Sequence, residues 1–292
     1  MANMTKDLNV HYDKRHHVYE LPDKNIVKYA ICSVSGGMDS ATCLFHAKKI
    51  YGEENVKAIS IYYGQKHDIE LQKAREMCKK LNVELIECNV EKIFSYNKNS
   101  SALLKGSQKE IEMGKSYSEI MGEKIDRGEV PISDEYIPNR NSLFMNIICS
   151  IGLQKFNSKP FAIITGVHSD DNIKQNGSNI GAYPDTSIEF VTSLNKTLQF
   201  ATAGLAFVYA PLVNKSKTMV AVFGVDNGMT KDDFNATWSC YNGGTNKQCG
   251  QCATCKDRIN SLIKSGIYNT ICDITEHYKL NEEEAAKFFD KE

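Results

Sequence analysis

The stretch "AICSVSGGMDSATCLF", residues 30–45, decides the fold. An apolar run, strand-like over 27–34, breaks at Gly36 and Gly37. A second apolar run with a different period follows, helical over 39–51 and stopped by Gly52. Strand, glycine bend and helix in that order make an anion site. The glycines reach backbone angles closed to other residues and let a ligand approach the main chain. The helix opens with unpaired N–H groups and a partial positive charge. Ser35 and Ser40 add hydroxyls, and the Asp39 carboxylate suits a magnesium ion beside phosphates. Neither the lysine of GxxxxGKS/T nor the spacing of GxGxxG is present, so this is not a P-loop or a dinucleotide fingerprint.

Outward from the bend, strand and helix alternate. Strands are expected at 56–63, 83–90, 161–167 and 207–212, and helices at 68–81, 141–153, 186–201 and 216–227. The 186–201 helix is expected to open on a capping box of Thr186 and Glu189. This order predicts an α/β fold, a Rossmann-like parallel sheet with helices on both faces. Ligands of such sheets bind beyond the carboxyl ends of the strands, where the glycine bend lies. The main domain is expected over 26–235. Residues 95–134 interrupt it with a polar, glycine-punctuated insertion containing short helices, either a lid or a surface excursion. Residues 1–25 read as a solvated N-terminal arm; a metal site at His16 and His17 is the weaker reading.

Of ten cysteines, Cys240, Cys249, Cys252 and Cys255 crowd into one short segment. In a reducing compartment that spacing reads as a metal site. Four thiolates close a tetrahedral zinc site with no open position, so its role is structural, within a helical C-terminal region over 236–292. An iron–sulfur cluster is the rival, but its fourth cysteine ordinarily lies downstream and precedes a proline. The other cysteines are dispersed through apolar or helical stretches, as small hydrophobes are. The 292 residues are 41% hydrophobic and 24% charged, with a formal net charge of −1. That balance excludes a protein that coats nucleic acid by bulk charge, while a local basic channel stays open. No run approaches the ~18 apolar residues of a membrane span. "MANMTKDLNV" lacks the layout of a signal peptide, so a cytoplasmic location is expected.

"SVSGGMDSAT" (33–42) resembles the pyrophosphate loop of the PP-loop ATP pyrophosphatases, which cleave ATP between the α and β phosphates and adenylate a substrate. "YYGQKH" (62–67), "YIPNRNSLF" (136–144), "TGVHSDD" (165–171), "YPDTSIEF" (183–190) and "WSCY…CGQCATCKDR" (238–258) follow in the order seen in 7-cyano-7-deazaguanine synthases. The resemblance runs from about residue 28 to 265. Three departures stand out: Thr186 and Ser187 replace Cys-Arg after "YPD", "PNRN" replaces "PGRN", and residues 172–182 are extra.

The resemblance implies an ATP site at Ser35, Gly36, Gly37, Met38, Asp39 and Ser40, zinc on the four cysteines, and a homodimer. Asp39, Arg140 and Lys217 are the catalytic candidates. Arg140 clamps a phosphate or carboxylate with its planar fork, or forms a surface salt bridge. Lys217 neutralises the leaving pyrophosphate or is a first-turn surface lysine. Asn141, Tyr183 and Asp185 are expected to contact the base, although helix capping also accounts for Asp185. Gln65 and His67 serve either the substrate or the loop that carries them, and Trp238 is expected in the core. The implied reaction joins 7-carboxy-7-deazaguanine and ammonia, with ATP and magnesium, into 7-cyano-7-deazaguanine. Rival expectations are a tRNA thiolase, a relative that attaches deazaguanine to a macromolecule, and a nucleotide-binding module without turnover.

Overall fold

Ala30, Ile31 and Cys32 are all buried, as a strand covered on both faces requires. In the computed structural model, which describes residues 17–171, 183–243 and 246–290, they belong to β1 (Tyr29–Ser33). Four further strands pair with it: β2 (Val56–Tyr62), β3 (Glu84–Asn89), β4 (Phe161–Ile164) and β5 (Ala206–Tyr209). All pairings are parallel, in the order β3-β2-β1-β4-β5, with Ala30 opposite both Val56 and Ala162. The winding direction reverses between β1 and β4. That crevice is where a doubly wound sheet takes its ligand.

Eight helices matter to the site: α1 (Met38–Tyr51), α2 (Ile69–Leu81), α3 (Tyr117–Asp126), α4 (Arg140–Lys155), α5 (Ile188–Ala201), α6 (Lys217–Asp226), α7 (Lys231–Ala236) and α8 (Ala253–Lys264). Alternate strand residues feed two cores. Ala30, Cys32 and Ile164 pack with Leu44 of α1, Met77 of α2, Val220 of α6 and Ile259 of α8. Ile31, Ile163 and Val208 pack on the opposite face with Ile148 of α4 and Leu194 of α5. Both faces are therefore covered, as expected. The cysteine region shares the first of these cores through Cys240, Cys252 and Cys255.

Several local readings change. The α5 helix starts at Ile188, and its N-cap is Ser187, whose hydroxyl accepts from Phe190 N. Thr186 instead donates to the Tyr183 carbonyl at 2.8 Å, so the expected Thr186–Glu189 capping box does not form. Strand β4 ends at Ile164 rather than 167, because the chain must leave the sheet for Gly166 to approach α1. A Cβ on Gly166 would lie 3.1 Å from the Asp39 carbonyl carbon and 3.2 Å from Ser40 N. In "PNRN", Asn139 has φ +60°, a left-handed conformation that glycine and asparagine both reach, which explains this departure from "PGRN". Within the arm, His17 is exposed, but Val18 is buried and its carbonyl accepts from Ala210 N. His16 and residues 172–182 lie outside the described residues. Among the described residues, no helix is long and apolar enough to cross a membrane.

Candidate active site

The bend after β1 is built as an anion cradle. Gly36 sits at φ +89°, and a Cβ there would meet the Glu70 carbonyl oxygen at 2.2 Å, so only glycine fits. Its own carbonyl accepts from Trp238 N at 2.9 Å. Gly37 is the N-cap of α1 without a side-chain cap, which leaves first-turn N–H groups for a ligand. Ser35 and Ser40 cross-brace the loop: Ser40 Oγ accepts from Ser35 N at 3.2 Å and donates to the Gly37 carbonyl at 3.0 Å. Met38 turns the other way, fully buried in the core.

Asp39, in the first turn of α1, meets Lys217, in the first turn of α6. The Lys217 ammonium lies 2.7 and 2.6 Å from the two carboxylate oxygens. Lys217 N donates to Asp170 Oδ2 at 2.7 Å, and Lys217 Nζ lies 3.3 Å from His168 Nε2. Burial alone would raise the Asp39 carboxyl; Lys217, His168 and the buried Arg258 more than offset it and hold it below the usual range. Lys217 is thus an inward-facing partner of the loop.

A cavity of about 420 Å³ opens over this pair, lined by Ser35, Gly37, Asp39, Glu70, His168 and Lys217. Tyr117, Tyr183, Trp238, Ser239, Tyr241 and polar residues of α8 complete its walls. The size is that of a small-molecule site. Tyr117 brings the 95–134 insertion into the wall, its hydroxyl 2.8 Å from that of Tyr183. Behind them, Ser133 bonds both Tyr183 and the buried Glu135.

The remaining expected residues cluster beside the cavity. The Arg140 guanidinium lies over Tyr63 and Phe144, with centroid distances of 5.4 and 5.9 Å, and it shares its field with Tyr241, Asp185 and Tyr183. Asp185 is buried and accepts from Asn141 N at 3.2 Å, while Asn141 Nδ2 donates to the Asp185 carbonyl. Gln65 and His67 are turned toward the backbone. Gln65 Oε1 accepts from Tyr63 N, and His67 Nε2 lies 3.1 Å from the Tyr241 carbonyl. Neither lines the cavity.

The Sγ atoms of Cys240, Cys249, Cys252 and Cys255 all lie within 4.8 Å of one another. Cys249 N donates to Cys240 Sγ at 3.3 Å, and Gln251 N and Cys252 N donate to Cys249 Sγ at 3.4 and 3.3 Å. Cys252 is the N-cap of α8, where the helix dipole favours a thiolate. These four residues fit one tetrahedral ion. The cluster also joins two walls of the cavity. Gly114 N of the insertion donates to the Gln251 carbonyl, and Lys256 bonds the Gly114 carbonyl. From α8, the fully buried Arg258 reaches Thr237, Ser239, Tyr278 and the Phe234 carbonyl, fixing the segment that carries Trp238.

Glu70, His168 and Tyr241 were not singled out from the sequence. His168 falls within "TGVHSDD", directly after β4, and following that strand to the switch point finds it. Glu70 has no such signal, since a polar residue in a helix's first turn reads as solvated.

A doubly wound parallel sheet with a glycine bend, a carboxylate and a lysine at its switch point defines an α/β protein whose crevice suits an anionic ligand. The model of the family described as "Queuosine biosynthesis protein QueC" matches residues 29–266. A 7-cyano-7-deazaguanine synthase of Caldicellulosiruptor saccharolyticus is 32% identical over 242 residues, 83% of this chain and 94% of that protein. One from Clostridium botulinum is 35% identical over 238 residues, 80% and 94% of the two chains. One from Parabacteroides distasonis is 30% identical over 235 residues, 80% and 93% of the two. The chain belongs to the QueC family of queuosine biosynthesis, whose curated relatives are 7-cyano-7-deazaguanine synthases.

Proposed function

We propose that this chain joins ammonia to 7-carboxy-7-deazaguanine and then dehydrates the amide to 7-cyano-7-deazaguanine. One ATP is cleaved to AMP and pyrophosphate at each of the two steps. The observation that carries this reading is the family match over 29–266, which spans the glycine cradle and its Asp39–Lys217 pair. A carboxylate resists ammonia because its leaving group would be oxide; adenylation substitutes AMP. The Ser35–Ser40 loop and the start of α1 hold the β and γ phosphates as one leaving unit. Lys217 swings from Asp39 to the pyrophosphate and neutralises its charge. Asp39 would then be the carboxylate to hold magnesium, whose charge would screen the phosphates. Arg140, with Asn141, Tyr183 and Asp185, receives the carboxylate and base of the substrate. Gln65 and His67 support that end through Tyr63 and Tyr241.

The four cysteines hold one zinc ion that is structural, since four thiolates leave no open position. By resemblance the enzyme is a homodimer. All ten cysteines are unbridged, which fits the cytosol. No cysteine among the described residues lines the cavity, which disfavours the thiolase alternative. The test is mass spectrometry after incubation with ATP, ammonium chloride and 7-carboxy-7-deazaguanine. The nitrile and AMP are expected. Folded, metal-loaded protein that forms neither contradicts the proposal.

A further inference from the structure

The reaction proposed above releases protons that some group must take. In the first half, R–CO–O–AMP reacts with NH3: the C–N bond forms, the C–O bond breaks with its electron pair leaving on AMP, and one N–H proton is lost. In the second, the adenylated amide R–C(O–AMP)=NH2+ loses two N–H protons and AMP. The electron pair of one N–H bond becomes the last C–N π bond of the nitrile. At neutral pH ammonia arrives mostly as ammonium, which adds a further proton. A base is needed at every turn, and the loop, the lysine and the arginine cannot supply it.

Most acids of the cavity are committed elsewhere. Asp39 pairs with Lys217 and, in the reading above, is given over to magnesium once that lysine leaves, and Asp170 accepts from Lys217 N. His168 Nε2 lies against the Lys217 ammonium. Asp257 belongs to the α8 wall. Glu70 differs from these. It lies in the first turn of α2, half-buried, and its carbonyl packs under Gly36, which fixes that turn against the phosphate cradle. Glu70 lines the same cavity as Asp39, and its carboxyl takes no hydrogen bond from the described residues.

We propose that the Glu70 carboxylate is the general base of this enzyme, receiving the N–H protons of ammonia and of the adenylated amide. This rests on the adenylation reading above. The groups that face Glu70 suit the role. Arg140 of α4 supplies positive charge, while burial and the charge of Glu70 in turn raise the hydroxyls of Tyr63, beyond β2, and Tyr241, in the cysteine loop. Burial raises the carboxyl, Arg140 draws it back, and it comes to rest at about 7. A group that must both take and release a proton near neutrality works best there.

The test compares wild type with Glu70→Gln in three assays using 7-carboxy-7-deazaguanine. ATP–pyrophosphate exchange without ammonia reads adenylation alone. The pH dependence of kcat/KM for ammonia reads the base. Hydroxylamine, already neutral at neutral pH, replaces ammonia; its attack sheds one N–H proton as ammonia's does, but no ammonium must be deprotonated and no nitrile forms. Glu70→Gln should keep exchange within about threefold and lose kcat/KM for ammonia by ~100-fold or more. With kcat/KM referred to free NH3, the acid limb rising toward pH ~7 should vanish, and hydroxamate formation should fall by clearly less than nitrile formation. Wild-type kcat/KM for ammonia in the variant overturns the assignment, as does an equal loss in all three assays. Wild-type protein without exchange sinks the adenylation reading itself, and the assignment falls with it.

Discussion

Lys217 and Asp39 close a bidentate ion pair, 2.7 and 2.6 Å, between the first turns of two helices that meet at the switch point of the sheet. The pair places a carboxylate and an ammonium beside the same glycine cradle. Replacing Asp39 by Ala should abolish nitrile formation while the protein stays folded with a lowered melting temperature, because the largely buried Lys217 ammonium loses its partner. Activity is read by mass spectrometry and stability by calorimetry. Substantial residual activity would reduce Asp39 to a residue of the first helical turn that merely favours α1.

Zinc analysis tests the cysteine cluster. Purified protein should carry about one zinc per chain and be colourless. Brown protein absorbing near ~400 nm would identify an iron–sulfur cluster instead. Cys252→Ser should lower the melting temperature, since metal binding is folding free energy.

Arg258 is 0% exposed and bonds to Thr237, Ser239, Tyr278 and the Phe234 carbonyl. Substituting Met leaves these partners buried and unpaired. Destabilisation of about 3 kcal/mol is expected in urea unfolding. ATP should also bind more weakly, because the same segment ties Trp238 N to the Gly36 carbonyl. A variant with wild-type stability and ATP affinity would show that α8 does not brace the cradle.

Glu70 also makes a signed prediction about stability. Its carboxyl is carried from 4.5 to about 7 on folding, chiefly by burial. The folded state therefore binds the extra proton, and that stabilisation is present at low pH and lost as pH rises through about 7. The melting temperature of Glu70→Gln relative to wild type should climb between about pH 4.5 and 7 and level off above. A flat difference would mean that Glu70 titrates at an ordinary value.

The cradle was legible in the sequence because it is local: β1, Gly36, Gly37 and the start of α1 are consecutive, and each residue type has its own backbone reason. The alternation of strands and helices was legible for the same cause. Boundaries were harder. Thr165–Val167 are apolar enough for a strand, but the need to bring Gly166 against Asp39 ends β4 early. At α5, two hydroxyls compete as the cap, and Thr186 is claimed by the Tyr183 carbonyl. The meeting of Glu70 with the cradle, or of Arg258 with Thr237, is a tertiary event with no spacing signature. His67 looked chemical by residue type, and its bond to the Tyr241 carbonyl arises only when the cysteine loop folds over it.

The ratio of AMP to nitrile tests the central claim most directly, measured by chromatography and mass spectrometry on one reaction. Starting from 7-carboxy-7-deazaguanine, one site that activates first the acid and then the amide should release two AMP and two pyrophosphates per nitrile, with no ADP. Starting from the amide, it should release one AMP. A ratio near one from the acid, or an amide that does not react, would contradict the account.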